Sequence, residues 1–239
     1  MTVEVIRLQP FIQQPPPPTP IIRVQTTVGE NQLGPGDEVI TASFGVVVTG
    51  GNTIIVLTRV SSDFNPNNSV ISVLDSLGTF YDVAVAAPSG DPASPGMEIW
   101  YGIPPVSGST AITVKWSSDV IFAWVFAIEV SGLDLVGSLD AAISRFFPSG
   151  SFDITTDPFS TNQGDEYVVL AASQITFSSY LAGADFTLIN GLIPSIGGPY
   201  GGSQEFITVN PLVAYTAHIT SDVTPPADSG TVVLASFRG

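Results

Sequence analysis

The sequence predicts an all-β protein, an antiparallel sandwich or a barrel, and three observations support this prediction. Short runs of Val, Ile, Thr, Phe and Tyr are separated by clusters of Gly, Pro, Asn, Asp and Ser, which is the pattern of strands and turns. Apolar residues at helical spacing do not persist, because Gly or Pro interrupts most windows. About a dozen short strands divided by turns favour a sandwich or barrel.

In chain order, we expect strands near residues 21–29, 38–48, 52–60, 69–75, 79–87, 97–102, 110–116, 120–130, 166–176, 184–190, 205–219 and 230–238. Gly50-Gly51-Asn52 fits a tight hairpin turn, since these residues accept positive φ, and 75–78 joins two strands in the same way. Ser117–Asp119 is predicted to turn the chain. Pro211 lies inside the strand expected at 205–219, which is therefore bulged, broken or at an edge.

The chain divides into an N-terminal arm, residues 1–35, and a single β-sandwich domain, residues 36–239. Met1–Leu8 is strand-like, and Pro15–Pro18 predicts a polyproline II rod about 12 Å long. The arm residues expected at an interface are Val3, Val5, Leu8, Pro15, Pro16, Pro17 and Pro18. Three fates stay open for the arm: adding a strand to a neighbouring subunit's sheet, packing on its own domain, or disorder.

Composition excludes several classes of function. A formal charge of −15 argues against binding to nucleic acid, which requires clustered Lys and Arg. The absence of Cys excludes disulfides and thiolate metal sites. No metal or other cofactor is expected. Glu4 and Arg7 interrupt the N-terminal residues, so no secretory signal is predicted. The apolar run at 120–128 is too short to insert into a membrane as a helix.

The strand at 121–130 is apolar on both faces. Phe122, Trp124 and Phe126 alternate with Ala123 and Val125, whereas a sheet with one wet face alternates apolar and polar residues. Both faces therefore need cover. Either a loop or the arm covers the outer face, or Phe122, Trp124 and Phe126 form a subunit interface.

From residue 37 onward, the order of motifs resembles the jelly-roll-like β-sandwich domains of bacteriophage virion proteins and of large secreted bacterial surface proteins. The matching segments are Gly51–Val56, the Asp75–Tyr81 segment with its D-S-x-G-x-x-Y spacing, Ile99–Tyr101, Ile128–Gly132 and Thr231–Phe237. The resemblance implies a jelly-roll-like sandwich and no reaction. The proline-rich arm lies outside it.

Residues capable of chemistry are few. His218 lies in a strand-like run and has no G-x-S-x-G nucleophile motif to serve. Glu98 and Glu129 could pair as glycosidase carboxylates, although Glu129 is better placed to bind backbone amides at its strand end. Calcium binding stays open for two oxygen-rich loops, one with Asp63 and Asn65 and the other with Asp153, Asp157, Asp165 and Glu166. Tyr200, between paired glycines, is a possible ligand-contacting residue.

Together, these features predict a non-enzymatic structural protein of a bacteriophage virion: a capsid decoration protein, a head or neck fibre, or a tail-associated adhesin. Its expected partners are itself, as a homotrimer, and other virion proteins. The alternative is a carbohydrate-binding or adhesive module, or a filament subunit, on a bacterial or archaeal surface. In that case the partner is a glycan, and Trp100, Trp116, Trp124 and Tyr200 are the stacking candidates.

Overall fold

The structure, a computed structural model, describes residues 19–31, 37–60, 68–87, 96–120, 123–147, 153–155, 159–161, 165–174, 180–182, 187–192, 201–208, 214–215, 218–221 and 230–239. The described residues contain no helix, and every strand pair is antiparallel. The predicted all-β antiparallel sandwich is confirmed. Accordingly, no described helix is long and apolar enough to cross a membrane.

The first eight strands form two sheets. They are β1 (Ile22–Asn31), β2 (Asp37–Ser43), β3 (Thr53–Val60), β4 (Val70–Leu74), β5 (Tyr81–Ala87), β6 (Gly96–Gly102), β7 (Ala111–Val120) and β8 (Ala123–Ser131). The central sheet has the order β1-β8-β3-β6-β5, and the first outer sheet has the order β2-β7-β4. We call this part, from residue 19 to the end of β8, the first half.

The second half contains ten strands. They are β9 (Leu139–Phe147), β10 (Asp153–Thr155), β11 (Phe159–Ser160), β12 (Glu166–Gln174), β13 (Tyr180–Ala182), β14 (Thr187–Leu192), β15 (Gly201–Thr208), β16 (Ala214–Tyr215), β17 (His218–Ser221) and β18 (Gly230–Arg238). The C-terminal sheet has the order β14-β15-β12-β18-β9. A small sheet has the order β10-β17-β13, and β11 pairs with β16.

The two halves have the same strand order. Strands β1 to β8 have counterparts, in the same order, in β9, β10, β12, β13, β14, β15, β17 and β18. With this correspondence, the C-terminal sheet has the strand order of the central sheet, and the small sheet has that of the first outer sheet. The β11–β16 pair then corresponds to the isolated bridge between Val48 and Gly108. The chain is therefore an internal structural duplication.

Two β-bulges lie at equivalent places in the two halves. The β1–β8 register skips Val24 beside Glu129, and the β9–β18 register skips Asp140 beside Ser236. The β5–β6 register skips Ala84, and the β14–β15 register skips Ile189. A bulge changes the direction of a strand and of its side chains, and here Ala84 and Ile189 both pack against one core cluster.

The backbone before β3 and β12 agrees with this equivalence. Gly51 has φ +88° and Asp165 has φ +57°. Gly51 lies three residues before Ile54, which pairs with Glu129. Asp165 lies three residues before Val168, which pairs with Ser236. Both halves thus enter their middle strand through a left-handed residue, which glycine or aspartate tolerates better than most residues do.

The central sheet is buried on both faces. On one face, Ile54, Val56 and Val125 pack against Val114 and Trp116 of the first outer sheet. On the other face, a shared core joins the central sheet to the C-terminal sheet; its members include Ile55, Leu57, Trp124, Phe126, Tyr167, Val169, Val233 and Phe237. The molecule is thus at least three sheets thick, and its two halves share a core.

Equivalent positions meet across the shared core. The Arg59 Nε donates to the Ser173 Oγ at 2.9 Å, and these two residues are counterparts. At the other end, a Cβ built on Gly239 would lie 2.7 Å from the Gly132 carbonyl oxygen, and these glycines are counterparts too.

Several sequence predictions need correction. Ile22–Asn31 of the predicted arm is β1, which pairs with β8 along its length, so the arm boundary at residue 35 does not separate it from the body. Strand β9 was not predicted, because Asp140, Ser144 and Arg145 break up its apolar pattern. It lies at the edge of its sheet, where polar residues are tolerated.

Two predicted connections are also different. The turns at 50–52 and 75–78 exist, with Gly51 and Gly78 at positive φ, but each carries the chain from one sheet to another and forms no hairpin. The turn predicted at Ser117–Asp119 is wrong, because β7 continues to Val120. The single strand expected at 205–219 is divided among β15, β16 and β17. Pro211 lies outside the described residues.

Candidate functional site

Three connections of the first half meet at one end of its sandwich, which we call the loop end: residues 44–52, 75–80 and 103–110. Val48 and Gly108 exchange two backbone hydrogen bonds of 3.0 Å each. The Gly51 N–H donates to the Pro104 carbonyl at 3.0 Å. These bonds hold the first and third connections together, so the loop end is a pre-organised surface.

Glu129 anchors the loop end from the strand side. Its Oε1 accepts the Thr49 backbone N–H at 2.9 Å and the Asn52 side-chain amide at 2.6 Å. Its Oε2 accepts the Gln25 amide at 2.6 Å. Glu129 is fully buried, so these three charge-assisted bonds offset the cost of desolvating its carboxylate. The predicted binding of backbone amides is present, though the amide belongs to the 44–52 connection and not to the turn after β8.

Asp75 anchors the second connection. Its Oδ1 accepts the backbone N–H groups of Leu77 and Thr79, at 2.9 and 3.1 Å. Its Oδ2 accepts the hydroxyls of Thr79 and Tyr81, at 2.6 and 2.9 Å. Burial raises the pKa of Tyr81, and the neighbouring Asp75 charge raises it further, so Tyr81 stays a donor. The D-S-x-G-x-x-Y motif thus builds a rigid turn.

The loop end exposes apolar side chains on this rigid frame. Val46, Val47 and Val106 are more than half exposed, Leu74 is 58% exposed, and Phe80 is 80% exposed. Beside them lies a groove of about 680 Å³, whose lining combines Phe44 and Leu74 with the hydroxyls of Ser43, Ser76, Ser109, Thr110 and Thr113. Exposed apolar clusters of this kind are typical of interaction surfaces.

Glu98 and Glu129 do not form a catalytic pair. Glu98 on β6 lies opposite Thr58 of β3, and Glu129 on β8 lies opposite Ile54 of β3. Because β6 and β8 flank β3, strand geometry places the Cα atoms of the two acids about 16 Å apart. Each carboxylate is also held by its own backbone donor, the Val70 N–H for Glu98 and the Thr49 N–H for Glu129, whereas the two carboxylates of a glycosidase lie roughly 5–9.5 Å apart around one bond of the substrate. The two acids therefore act separately.

Glu98 instead binds neighbouring groups of the first half. Its Oε1 accepts the Val70 backbone N–H at 3.0 Å, and its Oε2 accepts the Trp100 indole N–H at 2.8 Å. Burial raises the pKa of Glu98, and these two donors lower it by a smaller amount. This arrangement fixes the orientation of the Trp100 ring.

The aromatic residues predicted at sites are mostly core residues. Trp124 and Phe126 are 5% and 2% exposed and lie in the shared core. The C-terminal sheet of the same chain thus covers the face that sequence reasoning assigned to a loop, the arm or a subunit interface. Trp116 is buried as well, so neither Trp116 nor Trp124 presents a ring for stacking on a sugar. Of the three tryptophans, Trp100, Trp116 and Trp124, only Trp100 is partly exposed.

Other predicted residues lie outside the described part of the chain: Val3, Val5, Leu8, Pro15, Pro16, Pro17, Pro18, Phe122 and Tyr200, together with Asp63, Asn65 and Asp157. His218 begins β17, opposite Thr155. Asp165 is exposed and Glu166 is buried. Within the described residues, no group of three or more His, Cys, Asp or Glu is arranged to hold a metal ion.

Sequence reasoning missed the exposed apolar residues of the loop end. Val46 and Val47 fall in the strand expected at 38–48, and Val106 falls between the strands expected at 97–102 and 110–116; the position of their loops leaves all three uncovered. One signal was available: Phe80 stands inside the turn motif between Gly78 and Tyr81, where a large apolar residue is unexpected. No protein-family model, curated protein or solved structure matches the chain.

Proposed function

We propose that this protein is a non-enzymatic structural subunit of a bacteriophage virion, acting as a capsid decoration protein, a head or neck fibre or a tail-associated adhesin. It assembles as a homotrimer through its N-terminal arm. The observation that carries the proposal is the rigid, apolar loop end of the first half. The described chain begins at this same end, since Pro20, just before β1, lies against Gly132, just after β8.

The strand order supports the jelly-roll part of this proposal. In the first half, six of the seven connections carry the chain from one sheet to the other, and only β5 to β6 stays within a sheet. We therefore interpret these two sheets as a jelly roll, an arrangement that is common in viral capsid and lectin domains. The motifs of the family resemblance also have structural roles here, because Asp75 and Glu129 hold connections in place.

A structural role is consistent with the use of the three acids that anchor the first half. Glu129, Asp75 and Glu98 each bind backbone N–H groups of their own chain. A carboxylate saturated in this way is poorly placed for proton transfer to a substrate. The same bonds stiffen the connections, and a stiff surface loses little entropy on assembly.

The proposal is tested by light scattering on the full chain and on a chain that begins at Thr19, followed by fractionation of infected-cell lysate. We expect a trimer for the full chain, a monomer for the shortened chain, and co-sedimentation of the protein with particles. A truncation at Gly36 is unsuitable, because it removes β1 from the central sheet. A full chain that is monomeric and never found with particles would overturn the proposal.

The groove at the loop end favours one second candidate, a glycan-binding adhesive module at a cell surface. Five hydroxyl side chains beside Phe44 and Leu74 offer hydrogen bonds and apolar contact together, the combination that ligand sites use. A glycan array probed with the full chain tests this candidate. Binding that Thr113→Val weakens supports it, and no binding at high ligand density excludes it.

A further inference from the structure

The sandwich of the first half is closed on one side and open on the other. On the closed side, the Thr27 hydroxyl of β1 donates to the Ser43 carbonyl of β2 at 2.6 Å. On the open side, β4 and β5 are the last strands of their sheets, and no described strand pairs with the outer edge of either one. The first outer sheet has three strands against five in the central sheet. No described strand therefore occupies the position beside β4.

The position beside β4 lies over apolar residues of the central sheet, which we call its floor. Val83 of β5 pairs in register with Trp100 of β6, so both side chains lie on the same face of the central sheet. Trp100 packs against the core on the side of the first outer sheet. Val83 is nevertheless 47% exposed, because a fourth strand that would cover it is missing among the described residues.

The edge beside this floor is apolar too. Ile71 and Leu74 of β4 are 55% and 58% exposed. Leu74 pairs with Thr113, next to the core-facing pair of Val73 and Val114, so Leu74 lies on the outer face of the edge strand and Val83 lies on the inner side. We call the outer edge of β4, with Ile71 and Leu74, together with the inner floor of Val83 and Trp100, the seam. An unpaired strand edge beside apolar side chains is the feature that a further strand recognises: backbone hydrogen bonds supply affinity, and pockets for alternate side chains supply specificity.

We propose that the seam receives residues 3–8 of the N-terminal arm of a second copy of this chain, as the fourth strand of the first outer sheet. The segment Val3–Leu8 is strand-like, alternates Val3, Glu4 and Val5, and is about as long as β4, which has five residues. Its Val side chains would cover Val83 and Trp100. This inference rests on the proposed assembly and adds the acceptor site to it.

The geometry of the arm favours a second copy over the same chain. The arm starts beside β1, and β1 and β5 lie at opposite edges of the central sheet, about 19 Å apart at ordinary strand spacing. To reach its own seam, the arm would have to turn back across the end of the sheet. Pro15–Pro18 predicts a stiff rod that resists such a turn, which is why we place the segment on a second copy.

The test compares two substitutions in the full chain. Val83→Lys places a charge in the seam. Val39→Lys is its matched control, because Val39 is 44% exposed but lies on β2. We expect Val83→Lys to weaken self-association in light scattering by roughly tenfold or more, and Val39→Lys to leave it unchanged. Circular dichroism and the midpoint of thermal unfolding show that both variants fold.

Hydrogen exchange of Val70–Leu74 supplies a second measurement. We expect slow exchange in the full chain, faster exchange in the chain that begins at Thr19, and recovery when a peptide of residues 1–14 is added. Normal assembly of Val83→Lys, together with exchange in β4 that truncation leaves unchanged, would overturn the proposal that the seam receives the arm. If truncation still abolished assembly, the proposed function would nevertheless stand. A protected β4 in a monomeric full chain would place the arm in its own seam and overturn the second-copy inference.

Discussion

The two halves of the chain share their strand order and two β-bulges but use different residues at equivalent places. Glu129 of the first half ties Gln25, Thr49 and Asn52 together. Its counterpart Ser236 bonds only the backbone of Ala141, at 3.1 and 3.5 Å. The arrangement of sheets therefore does not depend on the carboxylate, and what Glu129 adds is a fixed set of connections at one end.

This comparison separates fold from function within one molecule. The shared pattern consists of apolar strands and two bulges, which are features of the backbone and of packing. The features confined to the described part of the first half are the polar anchors, Glu129 and Asp75, and the exposed apolar residues that they hold in place. We infer that the loop end is specialised for contact with a partner.

The largest expected effect comes from weakening the core that the halves share. Phe237→Ala should lower the free energy of unfolding by about 3–5 kcal/mol, because Phe237 is fully buried and its ring lies 5.3 Å from that of Tyr101. Urea denaturation measures this change. Phe80→Ala is the control, since Phe80 is 80% exposed, and it should change stability by less than about 0.5 kcal/mol. Equal effects for the two variants would mean that the halves are not joined by this core.

Exchanging the residues that distinguish the halves should have a smaller effect. Glu129→Ser, which copies Ser236, should cost about 3 kcal/mol, because three donors lose an anionic acceptor. Ser236→Ala should cost about 1 kcal/mol. Both are measured by urea denaturation, and hydrogen exchange at Thr49 should rise only in Glu129→Ser. If Glu129→Ser were as mild as Ser236→Ala, the loop end would not depend on this carboxylate.

Next comes the contact between counterparts. Arg59 and Ser173 meet across the shared core, so a double-mutant cycle with Arg59→Met and Ser173→Ala should give a coupling energy of about 1 kcal/mol. The pair Arg59→Met and Thr113→Ala serves as the control. Thr113 lies in the first outer sheet, on the other side of the central sheet, and should not couple. Additive effects of Arg59→Met and Ser173→Ala would contradict the contact.

The smallest effect concerns pH. Burial raises the pKa of Glu98 above its ordinary value of 4.5, so the folded chain keeps this proton after the unfolded chain has lost it. The contribution of Glu98 to stability is therefore fully present below pH 4.5 and declines as the pH rises through the raised pKa. Thermal midpoints measured against Glu98→Gln, which does not titrate there, should show this decline. A difference that stays constant from pH 4 to neutrality, roughly three pH units, would contradict the burial of Glu98.

Much of the fold could be predicted from the sequence because apolar runs mark strands directly. Both faces of β8 are apolar in the sequence, and the structure explains this by a sheet on each side. Strand β9 was missed because an edge strand tolerates charge. The destinations of the turns at 50–52 and 75–78 were missed because turn residues show where a chain bends, while long-range pairing decides which sheet it enters.

The duplication could not be predicted from the sequence, since equivalent positions differ in chemistry. Glu129 corresponds to Ser236, Trp100 to Gln204 and Gly51 to Asp165, and only the registers and backbone angles align them. The candidate site was predicted in part. The amide-binding role of Glu129 was foreseen at its strand end, but its partners Gln25 and Asn52 are far along the chain, where no local pattern points to them.

One calorimetric experiment tests most directly whether the two halves share a core. The full chain is heated in a differential scanning calorimeter, and the calorimetric enthalpy is compared with the van't Hoff enthalpy calculated for the oligomeric state that light scattering gives. A shared core predicts one transition with equal enthalpies, because neither half can unfold without exposing the apolar face of the other. Two resolved transitions, with a calorimetric enthalpy well above the van't Hoff value, would show that each half is stable alone and would contradict the account.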